Sequence, residues 1–241
     1  MKSKKYIFLF GVLLFIVTFL GISNKTNFEN VIGWENDIEN SYIKKNDINE
    51  KGTIKLGNPV YIRIFKEEGK LEIWAENSEK TYTLYKTYDI CTYSGGLGPK
   101  KKEGDKKTPE GFYSTKKSSL NPNSSYHLSF NIGYPNAYDK AHGYTGSLIM
   151  VHGNCVSIGC FAMTDKYIEE IYSIVERSLI NGQNVIDVHV FPFKMTNKNM
   201  SKYSNSEYYN FWEELKPAYD NFEKKKVVPK IKVINKKYVI E

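Results

Sequence analysis

Ile149 to Asp165, IMVHGNCVSIGCFAMTD, is the stretch on which the reading of the whole chain turns. It sets His152 eight residues ahead of Cys160, with Gly153 beside the first and Gly159 beside the second. A thiol becomes a useful nucleophile when a base lies within hydrogen-bond reach, and glycine, lacking Cβ, lets backbone approach a substrate closely. The run Ser147-Leu148-Ile149-Met150-Val151 reads as a buried strand that delivers His152 at its end, and Asn154 to Gly159 reads as a loop. Ile168, Ile171, Tyr172, Val175 and Leu179 recur at helical spacing behind Thr164 or Asp165 as N-cap. The spacing therefore predicts a helix from Asp165 to Leu179, ended by Asn181-Gly182. Cys160 is expected just before that helix, where backbone N–H groups and the helix dipole favour a thiolate; the N–H groups of Gly159 and Cys160 are candidates to hold an oxyanion.

Taken singly, a lone cysteine is usually a small buried hydrophobe and a lone histidine a satisfied structural residue. Combined in HGxxxSxGC between a strand and a helix, the two point to acyl transfer, with Cys160 as nucleophile and His152 as base. His152, Cys155 and Cys160 do not make a metal site: no fourth ligand stands at a typical spacing, and His142 is the only nearby candidate. A Cys155–Cys160 disulfide is open in an oxidising compartment and would block the nucleophile, so a partly packed loop thiol is the preferred reading of Cys155. Cys91 reads as sheet packing.

Around this stretch the chain reads as strands. Val60 to Phe65 and Leu71 to Ala75, joined by Glu67-Glu68-Gly69-Lys70, predict a hairpin, followed by a strand running through Thr81 to Thr92. Further strands are expected over Phe112 to Thr115, Ser124 to Gly133 and Val185 to Val190, and as a terminal hairpin from Ile231 to Ile240. Alternation puts Tyr126, Leu128, Phe130 and Ile132 on one face and His127, Ser129 and Asn131 on the other, polar one. His189 reads as an ordinary strand residue. Tyr209, Trp212, Leu215 and Tyr219 share a helical stripe that is core packing rather than a ligand box. The loop KKKEGDKKT, Lys100 to Thr108, carries five lysines and reads as solvated, with attraction of anionic peptide stems as the functional alternative.

The 241 residues, 41% hydrophobic, suffice for one sizeable core plus appendages. A net charge of +7 suits an anionic partner, but no aromatic-interleaved basic stripe or nucleic-acid motif is present, so nucleic acid is excluded as a partner. Lys2, Lys4 and Lys5 followed by the mostly apolar Tyr6 to Ile22 have the form of an export signal or N-terminal anchor. The organisation expected is a signal or anchor over 1–23, a polar linker over 24–55 and a catalytic domain over 56–241. The protein is then extracytoplasmic, in the periplasm or cell envelope, with the membrane as a partner if the first segment is retained.

His152-Gly153 with Ser157-Ile158-Gly159-Cys160 resembles the signature of the L,D-transpeptidase catalytic domain, the YkuD fold. The short His-to-Cys spacing and Ala162-Met163-Thr164-Asp165 soon after the cysteine make the resemblance closest to its YafK-like branch. GDKKTPEG from Gly104, YHLSFNIGYPNAYD from Tyr126, HVFPFKMT from His189 and FWEELKPAYDNFE from Phe211 extend the resemblance over residues 55–241. Two departures stand out. Ile158 occupies the place of the histidine in Ser-His-Gly-Cys, and Phe161-Ala162 stands where many members carry arginine.

The resemblance implies a β-rich α+β fold, a mixed β-sheet or sandwich core with two or three helices. It implies a peptidoglycan-modifying cysteine acyltransferase that needs no metal or organic cofactor. Cys160 would attack the carbonyl preceding a D-residue in a stem peptide and form a thioester, His152 would serve as base and acid, and the Gly153 carbonyl would orient the imidazole. The backbone at Gly159 would stabilise the oxyanion, with Ser157 and His127 as substrate-side residues. The partners implied are peptidoglycan stem peptides and, as acceptor, a D-amino acid or a wall-attached protein. Two alternatives stay open: a hydrolase on the same fold, either an L,D-carboxypeptidase or an amidase releasing wall-attached protein, and a non-catalytic wall-binding module. A papain-like peptidase is disfavoured because its cysteine precedes its histidine.

Overall fold

The computed structural model describes residues 55–241. The export or anchor segment expected over 1–23, and the linker apart from its last residue, lie outside the described residues. No helix among the described residues is long and apolar enough to cross a membrane.

β1 (Val60–Phe65) and β2 (Lys70–Glu76) form the expected antiparallel hairpin, and β3 (Tyr82–Asp89) continues it. β9 (Ile186–Phe191) lies parallel to β1 and antiparallel to β4 (Gly111–Thr115), giving a five-stranded sheet in the order β3-β2-β1-β9-β4. All six residues of β1 are buried because both faces of this sheet are covered, which is why the strand reads as a near-continuous apolar run. On one face Ile62, Ile64, Ile73, Val188 and Val190 meet Phe130, Val151 and Phe161 of a second sheet and Ile168, Ile171 and Val175 of a helix. On the other, Phe65, Phe112 and Phe191 meet Trp212, Leu215 and Tyr219.

The second sheet carries the site. Its order is β5 (Leu120–Ser124), β6 (His127–Asn131), β7 (Met150–His152) and β8 (Phe161–Ala162). β5 and β6 pair antiparallel, β6 and β7 likewise, and β7 runs parallel to β8. The connection from His152 to Phe161 is only residues 153–160, although parallel neighbours usually need a crossover of about a dozen residues or more. Positive φ at Asn154, Cys155 and Gly159 makes so short a return feasible.

Among the described residues there are four α-helices: the short α1 (Ala137–Ala141) and α3 (Asn197–Lys202), and the long α2 (Asp165–Ile180) and α4 (Tyr209–Lys225). α2 starts and ends as its sequence predicts. Thr164 is the N-cap, its hydroxyl accepting from the Tyr167 N–H, and Asn181 is the C-cap. The terminal hairpin, β10 (Ile231–Ile234) and β11 (Lys237–Ile240), also forms as expected.

Three expectations are corrected. Cys160 does not abut the α2 N-terminus, because β8 and the Met163-Thr164 cap stand between them, so the helix dipole is not what sets its ionisation. The run Ser147 to Val151 is not wholly buried: a positive φ turns Leu148 outward and the strand begins at Met150. Ser124 to Gly133 is not one strand but the end of β5, a two-residue turn and β6.

Candidate active site

β7 ends in His152, and its imidazole is fixed by the residue that follows. His152 Nδ1 lies 2.7 Å from the Gly153 carbonyl oxygen. A carbonyl only accepts, so Nδ1 carries the proton and Nε2 is left with its lone pair toward the cleft. The Gly153 N–H donates to the Tyr126 and Leu128 carbonyls, and a Cβ at 153 would stand 2.7 Å from Asp165 Oδ1 and 3.0 Å from both Ile168 Cγ2 and the Tyr126 carbonyl. Only glycine fits this position. The Tyr126 ring, centroid 4.7 Å away, covers the imidazole from the solvent side. Burial depresses the His152 pKa, partly offset by the Gly153 carbonyl.

Cys160 presents its thiol to the same cleft. Its Sγ accepts from the Met150 N–H at 3.4 Å and points toward the Leu148 carbonyl at 3.7 Å. Burial raises its pKa, while the Met150 N–H and the Lys100 charge pull the other way. A raised thiol beside a depressed imidazole makes the resting pair neutral, thiol and free base, rather than thiolate and imidazolium.

The loop between base and nucleophile is stapled by a disulfide that the sequence reading did not foresee. Cys155 pairs with Cys91, not with Cys160, at a Cα–Cα separation of 5.3 Å. Cys91 is therefore not simple sheet packing, nor is Cys155 a free loop thiol, and Cys160 is the free cysteine. β8 is held on the same side: the Cys91 N–H donates to the Ala162 carbonyl, and Ala162 and Thr92 exchange hydrogen bonds. Only the presence of three cysteines and the expectation of export hinted at such a link, because a separation of 64 residues leaves no local signal.

The remaining sequence candidates take distinct places. Ser157 braces the loop: its hydroxyl accepts from the Cys160 N–H at 2.9 Å and donates to the Cys160 carbonyl at 2.7 Å. The Gly159 N–H, in a backbone with φ of +99° that suits glycine, donates to Ser94 Oγ at 2.8 Å. Both N–H groups expected to meet an oxyanion are thus engaged by serine hydroxyls. His127 points away from the cleft, its Nε2 2.7 Å from Glu169 Oε1 on α2, because a positive φ at the hairpin turn breaks the alternation that put it beside Ser129. His189 is buried between sheet and α4, its Nδ1 hydrogen-bonded to the Tyr61 hydroxyl, and is remote from this chemistry. Lys100 is not solvated; its ammonium is tied to Asp105 and the Lys102 carbonyl.

His152 and Cys160 share a cleft of about 500 Å³. Leu148, Met150, Val156 and Ile158 make its apolar side, and Ile158 is 78% exposed. Asn121, Ser124, Ser125 and Ser129 make its polar side. Among the described residues there is no cluster of side chains that could hold a metal ion.

The family model of the L,D-transpeptidase catalytic domain, YkuD, matches residues 59–228. The chain belongs to this family. YafK of Escherichia coli (strain K12), provisionally named an L,D-transpeptidase, is 50% identical over 185 residues, 77% of this chain and 75% of that protein. Among solved structures, the chain is similar to a variant of the helical cell shape determining protein Pgp2 of Campylobacter jejuni, with 22% identity and a TM-score of 0.47 over 76% of this chain and 63% of that one. It is also similar to Bd1075 of Bdellovibrio bacteriovorus, with 20% identity and a TM-score of 0.40 over 77% and 80% of the two chains. In this chain the site cysteine follows the histidine and stands just ahead of the adjoining strand β8.

Proposed function

We propose that the protein is a cysteine L,D-transpeptidase that remodels peptidoglycan outside the cytoplasm. The observation that carries the reading is the pairing of one free thiol, Cys160, with an imidazole whose Nδ1–H is committed to the Gly153 carbonyl, so that Nε2 faces the same cleft as a base. The Cys91–Cys155 disulfide supports an oxidising compartment.

In the first half-reaction His152 Nε2 takes the thiol proton and Cys160 Sγ adds to the carbonyl preceding a D-residue of a stem peptide. The C–N bond breaks, the amine leaves with the proton from His152, and a thioester remains. In the second, an acceptor amine attacks the thioester carbon, gives a proton to His152 and releases the thiol as an amide forms. The neutral resting pair matches this order, since the thiol is deprotonated only as it attacks.

The test is to incubate the protein with muropeptides bearing tetra- and pentapeptide stems and to read products by mass spectrometry, beside Cys160→Ala and His152→Ala. Cross-linked dimers or D-amino-acid exchange, lost in both variants, are expected. Shortened stems without dimers would make the enzyme a hydrolase, and unchanged stems in all three proteins would refute the assignment.

A further inference from the structure

Ser129 is 1% exposed, and its Oγ is buried without a hydrogen-bond partner, yet the residue lines the cleft. Leaving a buried hydroxyl unpaired is costly, so such a group beside a cleft is expected to find its partner in a ligand. Its place in the sheet says which part of the ligand. Ser129 on β6 stands directly opposite His152 on β7, so both side chains leave the same face about 5 Å apart at the backbone. Cys160 lies on the other side of His152, just ahead of β8. Across the sheet the order is therefore hydroxyl, base, nucleophile.

The two sides of the cleft differ in kind. On the thiol side Leu148, Met150, Val156 and Ile158 are apolar and the Ser157 hydroxyl is spent on the Cys160 backbone, whereas beyond the imidazole Asn121, Ser124, Ser125 and Ser129 bring hydroxyl and amide groups beside the Tyr126 ring. No Asp, Glu, Lys or Arg lines the cleft. A carboxylate there would hold an incoming amine as its ammonium, which has no lone pair for attack. A neutral hydroxyl instead suits a free amine, accepting one N–H while the base accepts another.

We propose that Ser129 Oγ accepts an N–H of the primary amine that attacks the Cys160 thioester, directing the nitrogen lone pair at the acyl carbon. This deepens the transfer reaction proposed above and rests on it. As the C–N bond forms and the C–S bond breaks, a second N–H proton passes to His152 Nε2 and then to the departing sulfur, while the Ser129 hydroxyl keeps its own proton. The polar side of the cleft is thus the acceptor side.

The experiment supplies the full-length protein with a tetrapeptide-stem muropeptide and rising D-methionine, and reads exchanged against hydrolysed product by mass spectrometry. Ser129→Ala is expected to raise the KM for the amine about tenfold, the equivalent of ~1.4 kcal/mol for one lost hydrogen bond. The iodoacetamide rate at Cys160 should stay as in the wild type, and Ser129→Thr, which keeps the hydroxyl, should restore the KM to within about threefold. An unchanged exchange-to-hydrolysis ratio in Ser129→Ala would overturn the inference. So would an equal loss of stem consumption at every amine concentration, which would place Ser129 in acylation. Wild-type protein that leaves the stem untouched would instead sink the transfer assignment itself, and this inference with it.

Discussion

Opening the Cys91–Cys155 link should destabilise the domain by an amount that follows from its span. The cross-link closes a loop of 64 residues. A chain-entropy cost of −2.1 − 1.5R ln n for that length is about 14 cal/mol/K, or about 4 kcal/mol at 25 °C, acting on the unfolded state. At about 2–4 °C per kcal/mol for a domain of this size, the melting midpoint should fall by about 8–16 °C. The measurement is urea unfolding followed by tryptophan fluorescence, since Trp74 and Trp212 are both buried. Comparing Cys160→Ala with Cys91→Ser/Cys155→Ser/Cys160→Ala leaves no free thiol in either protein to reshuffle. The expected outcome is a lower urea midpoint with a slightly larger m, because the freed chain exposes more surface on unfolding. Coincident midpoints would refute the reasoning, showing that the link imposes no constraint on the unfolded chain.

Three further outcomes test other parts of the structure. Because burial raises the Cys160 thiol and depresses His152, alkylation by iodoacetamide should be slow at neutral pH and climb only in alkaline solution, above the ordinary thiol range; a plateau across neutral pH would mean a thiolate–imidazolium pair instead. Asp187, pushed up to about 6 by burial, binds its proton more tightly folded than unfolded. Its contribution is therefore full below about pH 4 and lost as pH rises through 6, and Asp187→Asn should flatten the fall in urea midpoint across that window. Glu110→Ala should cost about 3–5 kcal/mol in thermal or urea unfolding. It strands the fully buried Lys66 ammonium, 2.9 Å from Glu110 Oε1, with only the Gly98 and Thr108 carbonyls, and it removes the acceptor of Trp212 Nε1. A loss under about 1 kcal/mol would show that water reaches Lys66.

What the sequence made legible was what is encoded locally. α2 shows its apolar stripe and both caps within consecutive residues, and the β1–β2 hairpin shows its turn between two apolar runs, so both stand where they were expected. The histidine and cysteine of one short segment were equally visible, and the structure brings them to one cleft. What was hidden depends on distant residues or on single backbone angles. β8 is two residues long, and β5, Leu-Asn-Pro-Asn-Ser, has neither alternation nor β-branched residues. The partners of Gly159 and Cys155 come from Ser94 and Cys91, more than sixty positions away. One positive φ sends His127 to Glu169, and another sends Leu148 to the cleft rim.

The eight-residue return from β7 to β8 acts as a gauge. Strand pairing grips it at both ends, the disulfide pins it at Cys155, and Ser157 clasps Cys160 from within, so it has no slack with which to absorb an added or missing residue. The gap between thiol and imidazole is therefore written in residue count, and a length change between Asn154 and Gly159 should silence the site even if the fold survives. Val156 and Ile158, whose side chains project into solvent from this same span, can vary at constant length. They are where relatives, or an engineer, can retune what the cleft accepts without disturbing the spacing of its chemistry.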